Sequence, residues 1–190
     1  MKYVILIHQI IYQGMFFAKN ILLKKKIGKK IRGNNKEAII AITIFSIFIA
    51  VSITSSIFSQ VNDFFIIIPF LSGRFFKITG ILLLFINLFL STTSLYEMKD
   101  SWRVGIIEDD KTDLVATGIY KYSRNPYFLS YILLFISYTF ILANLALVIL
   151  TLISLLSVHL IILKEEKYLL KLHGDSYQEY KSKTGRYFIV

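Results

Sequence analysis

The chain has 190 residues, a length typical of one domain, and 55% of them are hydrophobic, more than soluble domains carry. It contains no cysteine, which excludes disulfides, thiolate nucleophiles and cysteine-ligated metals. A net charge of +10 is compatible with nucleic-acid binding, but basic residues crowded into cytoplasmic loops explain it better in so apolar a chain. We therefore expect an integral membrane protein without a nucleic-acid partner.

Uncharged stretches predict an all-α fold with about five membrane-spanning helices, each of which needs about 20 apolar residues. The first predicted span extends past its uncharged part to include Lys19, whose ammonium can reach the membrane surface. A signal peptide is the alternative for this stretch, but lysines at 24–26 follow it in place of a small-residue cleavage site. The spans are predicted at 3–23, 38–58, 76–97, 126–143 and 145–163.

The last two spans are predicted to form a tight helical hairpin. Residues 125–163 are 39 residues without a charge, about twice the length of one span. Ala143 and Asn144 are the best place for the turn, because asparagine tolerates turn geometry. Such a hairpin brings the start of the fourth span beside the end of the fifth.

The basic residues predict the orientation in the membrane. With five spans, all of the 22 lysines and arginines except Lys2, Arg74 and Lys77 fall on one side. The positive-inside rule then places the N-terminus outside and the C-terminus in the cytoplasm, in what we expect to be a prokaryotic inner membrane. The short apolar segment 64–73 is expected to be an interfacial or re-entrant piece on the outer side.

Three local patterns predict helix boundaries next to the membrane. Asn125 followed by Pro126 is typical of an N-cap and a first helical residue. Gly174 is expected to end the helix that continues from the fifth span. The spacing of Ser176 and Glu179 predicts a capping box that opens a short final helix.

Two polar segments, 99–125 with its acidic run at 108–110 and 164–190, are long enough to build a site. Because the hairpin has almost no loop, Arg124 is expected to meet Glu165 and Glu166. Arg124 alone is explained equally well as a positive-inside anchor, and the glutamates as solvated charge. Their expected proximity at the membrane exit favours a ligand pocket.

Two further residues have open interpretations. Trp102 is expected to be either an interfacial anchor or a wall of the pocket. His159 lies within the fifth span, where an ionisable residue is a functional candidate. A neutral histidine bonded to a neighbouring helix is the alternative, and His159 is left outside the predicted site.

Four motifs occur in order in the second half of the chain: DSWRVG at 100–105, LVATGIYKYSRNPY at 114–127, EE at 165–166 and GDSYQEY at 174–180. Together with the hairpin, they resemble the isoprenylcysteine carboxyl methyltransferase family, which is related to the phospholipid N-methyltransferases. The resemblance covers about residues 97–188. It implies a methyltransferase core at 76–190, preceded by N-terminal spans at 1–75.

The resemblance implies an S-adenosylmethionine site at the cytoplasmic end of the hairpin, without a Rossmann fold. The chain indeed lacks a G-x-G-x-x-G motif among its nine glycines. Arg124 and Glu165 are the implied catalytic residues, and no metal is expected. The implied cofactor-binding residues are Thr112, Asp113, Leu114, Val115, Tyr120, Asn125, Pro126, Tyr127, Phe128 and Glu165.

The chain departs from the family pattern at two positions, where Asn125 replaces a histidine and Phe128 replaces a tyrosine. Asparagine donates and accepts hydrogen bonds but does not carry a proton, so an acid–base role at this position is in doubt. Aromatic rings such as Tyr120 and Tyr127 are expected to face the sulfonium through cation–π contact. Arg124 is expected to pair with a carboxylate of the cofactor or of the acceptor.

The acceptor is expected to be a lipidic or prenylated small molecule that enters sideways from the membrane. A carboxylate acceptor, as in the resembled family, needs no general base, whereas an amine or hydroxyl needs one, for which Glu166 or His173 are weak candidates. The alternatives are a phospholipid-type N-methyltransferase, a membrane NADPH-dependent reductase and a non-enzymatic membrane scaffold. The sequence does not predict the oligomeric state.

Overall fold

The computed structural model describes residues 3–28, 31–33, 36–107 and 111–188, so the predicted acidic run at 108–110 and Lys2 lie outside the described residues. The described part is helical and contains no β-strand, which confirms the all-α prediction. Three short 3-10 helices occupy Pro69–Ser72, Lys99–Ser101 and Gly118–Lys121. The α-helices are α1 (Val4–Ile27), α2 (Lys36–Ile57), α3 (Ser59–Asp63), α4 (Arg74–Glu97), α5 (Pro126–Leu142), α6 (Leu145–His173) and α7 (Asp175–Lys183).

Three of these helices, α2, α4 and α6, are long and apolar enough to cross a membrane, and α5 is apolar but only 17 residues long. This confirms an integral membrane protein. The 24-residue α1 is less apolar, because it carries polar side chains such as His8 and Gln9. Five spans and their orientation therefore stay predictions. In α6 the uncharged residues 145–163 are sufficient for one span, and the rest of the helix extends beyond it.

The polar residues of α1 are buried and hydrogen-bonded to its neighbours. His8 Nε2 lies 2.9 Å from Asn87 Oδ1 on α4, and His8 Nδ1 lies 2.7 Å from the Tyr138 hydroxyl on α5. The Asn87 amide nitrogen donates to the Ser130 carbonyl, so its oxygen faces the histidine and His8 Nε2 carries the hydrogen. His8 thus fixes α1 against α4 and α5.

The turn between α5 and α6 falls at Ala143 and Asn144, as predicted. Ala143 has a left-handed backbone with φ 53°, and the Asn144 side chain accepts from the Leu147 N–H at 2.9 Å, capping α6. Within the predicted interfacial segment, the Ile68 N–H donates to the Ala143 carbonyl at 2.7 Å and Ile66 O accepts from the Leu145 N–H at 2.8 Å. This segment therefore packs on the turn and contains only a four-residue helix.

The predicted helix boundaries at the other end are partly confirmed. α5 begins at Pro126, and α6 ends at His173, where the Gly174 N–H donates to Leu170 O at 2.9 Å. The predicted capping box is wrong, because α7 begins at Asp175 and Ser176 lies inside its first turn. Asn125 is the N-cap of α5, as predicted, although its side chain makes no capping hydrogen bond and its amide instead donates to Glu166.

One apolar core joins the long helices. Gly80 lets α4 approach α5, because a Cβ at this position would lie 2.9 Å from the Ser137 carbonyl oxygen. The division into 1–75 and 76–190 stays a prediction. The buried core residues include Ile5 of α1, Phe48 of α2, Leu84 of α4, Phe135 of α5 and Ile162 of α6.

Candidate functional site

A cavity of about 750 Å³ lies between α1, α2, α5 and α6 and is bordered by parts of the loops at 101–107 and 112–115. One part, which we call the polar end, lies where α5 begins and α6 leaves the predicted span. The other part, which we call the apolar arm, continues between the helices. It is lined by Phe45, Phe128, Tyr131, Phe135, Ser154, Val158 and Ile161.

The depth of the apolar arm follows from the helices that line it. On α6 the lining residues extend from Leu169 past Glu165 to Ser154, and on α5 they extend from Tyr127 to Phe135. At a rise of 1.5 Å per residue, the 11 residues from 165 to 154 span about 17 Å. The cavity therefore reaches roughly halfway through a hydrocarbon layer about 30 Å thick.

The cavity brings together nearly all of the residues that the resemblance implies. Nine of the ten predicted cofactor-binding residues line it, and so does Arg124. The exception is Pro126, which is fully buried as the first residue of α5. Their role in binding a cofactor stays a prediction. The nine lining residues are Thr112, Asp113, Leu114, Val115, Tyr120, Asn125, Tyr127, Phe128 and Glu165.

Glu165 faces the cavity and makes no ion pair with any residue in the described part of the chain. Glu165 is half-buried and borders the cavity. This burial, together with the negative charge of Glu166, raises the pKa of Glu165 to about 7. Near neutral pH the carboxyl is therefore able to bind or release a proton.

Glu166, the next residue, is buried and fully engaged. Its Oε1 accepts from Arg124 at 3.1 Å, from the Asn125 amide at 3.0 Å and from Arg186 Nε at 3.1 Å, and its Oε2 accepts from Arg186 at 3.0 Å. Burial alone would raise the pKa of Glu166, but these donors hold it below its ordinary value. Glu166 therefore stays ionised and joins three parts of the chain.

Arg124 uses most of its guanidinium within the protein. It donates to Glu166 and to the carbonyls of Thr184 and Lys181. Only its Nε lacks a hydrogen-bond partner in the described part of the chain. Arg124 was predicted to meet both Glu165 and Glu166. In the described part of the chain it forms an ion pair with Glu166 and none with Glu165. Its predicted pairing with a ligand carboxylate stays a prediction.

Tyr120 is held at the polar end by its backbone. Gly118 before it has φ 57°, and a Cβ there would lie 2.3 Å from the Glu97 carboxyl, so the turn packs tightly on α4. The Tyr180 hydroxyl donates to the Tyr120 carbonyl at 2.6 Å. Burial raises the pKa of the Tyr120 phenol, so the ring stays neutral. Tyr180, which also lines the cavity, was not predicted, although it ends the fourth motif.

Trp102 is a wall of the cavity, which decides between its two predicted roles. Its ring is buried, packs edge-on against Tyr127 with centroids 4.8 Å apart, and donates from Nε1 to Asn20 at 2.8 Å. Asn20 and Phe16 of α1 line the cavity too. No motif marks these α1 residues, and their helix was predicted only from hydropathy. His159, left outside the site, lies 2.7 Å from the Tyr187 hydroxyl through Nδ1.

Three buried polar atoms of lining residues have no hydrogen-bond partner in the described part of the chain: Arg124 Nε, the Tyr127 hydroxyl and Ser154 Oγ. Buried polar groups are normally satisfied, so these three atoms are exceptions among the residues that line the cavity. Within the described residues, no group of three His, Asp or Glu side chains is placed to hold a metal ion.

Comparison with known proteins agrees with this arrangement. A model of the phospholipid methyltransferase family matches residues 75–176, which are more than half of the chain. No curated protein matches the chain. The matched family is related to the isoprenylcysteine carboxyl methyltransferases, so the resemblance read from the motifs is confirmed. The chain is a membrane methyltransferase and belongs to the phospholipid methyltransferase family.

Proposed function

We propose that the chain transfers a methyl group from S-adenosylmethionine to a lipidic acceptor. The observation that carries this proposal is the shape of one cavity, which joins a polar end to an apolar arm. Its volume of about 750 Å³ lies within the range of about 300–1,000 Å³ typical of ligand sites. A soluble acceptor would not need an arm that extends between membrane-spanning helices.

The polar end has the chemistry that S-adenosylmethionine requires. When bound there, the cofactor supplies an activated methyl group on a sulfonium. The unpaired Glu165 carboxylate accepts hydrogen bonds from its ribose or amino groups, and Arg124, which lines the cavity, pairs with its carboxylate. Tyr127 and Trp102 supply aromatic surface near the positive charge. These residues bind the cofactor, orient it toward the acceptor and exclude water from the site. Methyl transfer requires little more from the protein, because the methyl group is already activated.

The apolar arm also has a side opening through which a lipid enters. Phe17 of α1 and Ile42 and Ser46 of α2 line the cavity, and all three are exposed. They lie on neighbouring helices at the level of the predicted span. An acceptor chain therefore moves in between α1 and α2 without leaving the membrane.

The resembled family predicts a carboxylate as the methylated group, and this remains the first candidate. A carboxylate needs no base, and its attack on a sulfonium neutralises charge, which a dry site favours. Its binding would require a cation in the cavity, where Arg32, Arg103 and Arg124 are lining residues and Arg124 is already paired with Glu166.

An amine is the second candidate, and Glu165 favours it. An unpaired carboxylate attracts an ammonium group and, with a pKa of about 7, takes its proton. The free electron pair of the nitrogen then forms the new bond to the methyl carbon, and the electrons of the broken carbon–sulfur bond return to sulfur. The products are a methylated ammonium and a neutral thioether.

The test uses the full chain purified in detergent. Calorimetry is expected to show saturable binding of S-adenosylhomocysteine, and NADPH is expected to give no thermal stabilisation. Stabilisation by NADPH alone would favour the reductase, and binding of neither ligand would favour the scaffold. Transfer of a deuterated methyl group to an ethanolamine phospholipid or to a long-chain carboxylic acid, followed by mass spectrometry, then decides between the two acceptors.

A further inference from the structure

The segment 184–187, which follows α7, lies between the turn at 123–125 and α6. The Arg124 N–H donates to the Gly185 carbonyl at 3.0 Å, and the Ser123 hydroxyl donates to the Arg186 carbonyl at 3.2 Å. The Tyr187 hydroxyl lies 2.7 Å from His159 Nδ1 on α6. The segment is therefore attached both to the start of α5 and to α6.

Arg186 makes the strongest of these attachments. Its Nε and one terminal nitrogen donate to the two oxygens of Glu166 at 3.1 and 3.0 Å, the geometry of a bidentate pair. The Asn125 amide donates both to Glu166 at 3.0 Å and to the Arg186 carbonyl at 3.2 Å. One buried carboxylate thus holds the C-terminal segment, α6 and the start of α5 together.

Neighbouring residues of an α-helix point about 100° apart, since 3.6 residues make one turn. When Glu166 is fixed on the side of Arg186, Glu165 is directed into the cavity. A rotation of α6 that released Glu166 would move Glu165 as well. The direction in which Glu165 faces therefore depends on the contact between Glu166 and Arg186, and Arg186 does not line the cavity.

We propose that Arg186 is a positioning residue, which holds Glu166 and thereby directs Glu165 and Asn125 into the cavity. This inference rests on the proposed function, because that function assigns the role of Glu165. Arg186 does not line the cavity, and neither family resemblance nor motif spacing singled it out.

Arg186 also acts through charge. The negative charge of Glu166 raises the pKa of Glu165, and Arg186 partly neutralises Glu166. Removing the arginine charge therefore moves the pKa of Glu165 further upward. Other titratable or charged side chains lie near Glu165 or line the same cavity. They are Arg32, Glu97, Arg103, Asp113, Tyr120, Arg124, Tyr127, Tyr131, Tyr168, Tyr177 and Tyr180.

The experiment compares three variants of the full chain in detergent. Calorimetry measures S-adenosylhomocysteine binding across a pH series through neutrality, and thermal unfolding confirms that each variant is folded. Lys183→Ala is the matched control, because Lys183 forms an ion pair with Glu179 in the same region and both side chains are 69% exposed. Arg186→Ala removes both the bidentate hydrogen bonds and the positive charge, whereas Arg186→Lys removes the bidentate geometry and keeps the charge.

Arg186→Ala is expected to weaken binding about tenfold to 100-fold, because small misplacements of a site residue have effects of this size. Its binding midpoint moves to higher pH. Arg186→Lys weakens binding less and keeps the wild-type midpoint, and Lys183→Ala behaves like wild type. Wild-type affinity and midpoint in Arg186→Ala would overturn the positioning role alone, as would an equal loss in Lys183→Ala. A wild-type chain that binds no S-adenosylhomocysteine would overturn the proposed function as well.

Discussion

Glu165 and Glu166 are adjacent in the chain and have opposite environments. Glu166 is buried and accepts hydrogen bonds from Arg124, Asn125 and Arg186. Glu165 borders the cavity and pairs with no cation in the described part of the chain. The pKa of Glu166 is lowered, whereas that of Glu165 is raised to about 7.

This difference separates the structural role from the chemical one. A carboxylate whose acceptor sites are filled by the protein stabilises the fold and has little left for a ligand. A carboxylate that is desolvated and unpaired is less stable in its ionised form and gains most from a ligand or proton. We therefore assign the junction of α5, α6 and the C-terminal segment to Glu166, and the ligand chemistry to Glu165.

The largest effect is expected for Glu166→Ala, which leaves Arg124 buried without its carboxylate. Breaking a buried pair in this way costs about 3–5 kcal/mol of unfolding free energy. Denaturant unfolding in detergent measures it, with the exposed Glu179→Ala as control, for which a change of less than about 1 kcal/mol is expected. Equal effects of the two substitutions would show that the Glu166 cluster is not structural.

Glu165→Gln is expected to weaken the binding of S-adenosylmethionine without lowering the stability of the fold. Losing hydrogen bonds to a charged acceptor costs about 1.5–3 kcal/mol, which is about tenfold to 150-fold in affinity for S-adenosylmethionine. Stability should be unchanged or slightly higher near neutral pH, because an unpaired carboxylate is removed. Calorimetry and thermal unfolding measure the two effects. Unchanged affinity would remove Glu165 from the site.

The two glutamates should also respond to pH in opposite ways. The pKa of Glu165 is raised above its ordinary value of 4.5, so the stability that its neutral form contributes is present at low pH and is lost as pH rises through about 7. Ligand affinity should increase over the same range. The Glu166 contribution is present above its ordinary pKa and is lost as pH falls through the lowered value. In Glu165→Gln, the binding midpoint near pH 7 should disappear.

The smallest effect is expected for Asn125→His, which restores the residue of the resembled family. The asparagine amide donates to both Glu166 and the Arg186 carbonyl. A histidine ring nitrogen has one hydrogen and satisfies only one of these acceptors. Unfolding free energy should fall by about 1 kcal/mol. A gain in stability would show that the two hydrogen bonds of Asn125 do not matter to the junction.

Much of the framework was predictable because its signals are local. The turn at Ala143 and Asn144, the start of α5 at Pro126 and the end of α6 before Gly174 follow from hydropathy and capping preferences. The capping box at Ser176 failed because α7 begins at Asp175, with Gly174 and not Ser176 as its N-cap. Asn125 is the predicted N-cap of α5, but its side chain makes no capping hydrogen bond, and its amide nitrogen donates to the buried Glu166 carboxylate of α6.

Nine of the ten implied cofactor residues line one cavity, and their role in binding stays a prediction. The motifs did not predict how the roles divide among these residues. The motifs do not indicate which glutamate is paired. Two adjacent helical residues point about 100° apart, and the sequence EE does not show which of them faces the cavity. Phe16 and Asn20 meet Trp102 because α1 packs on the other helices, to which His8 bonds it through α4 and α5.

By itself, the sequence determined an α-helical membrane protein, its hairpin and the segments that meet at the hairpin's open end. These depend on hydrophobic length, helix signals and chain connectivity, which are properties of short stretches. Only the tertiary structure decided that α1 and α2 complete the cavity, that Arg186 reaches Glu166, and that Glu165 is left unpaired. Those outcomes depend on side chains from 20 to more than 100 residues apart and on which of them share a buried carboxylate.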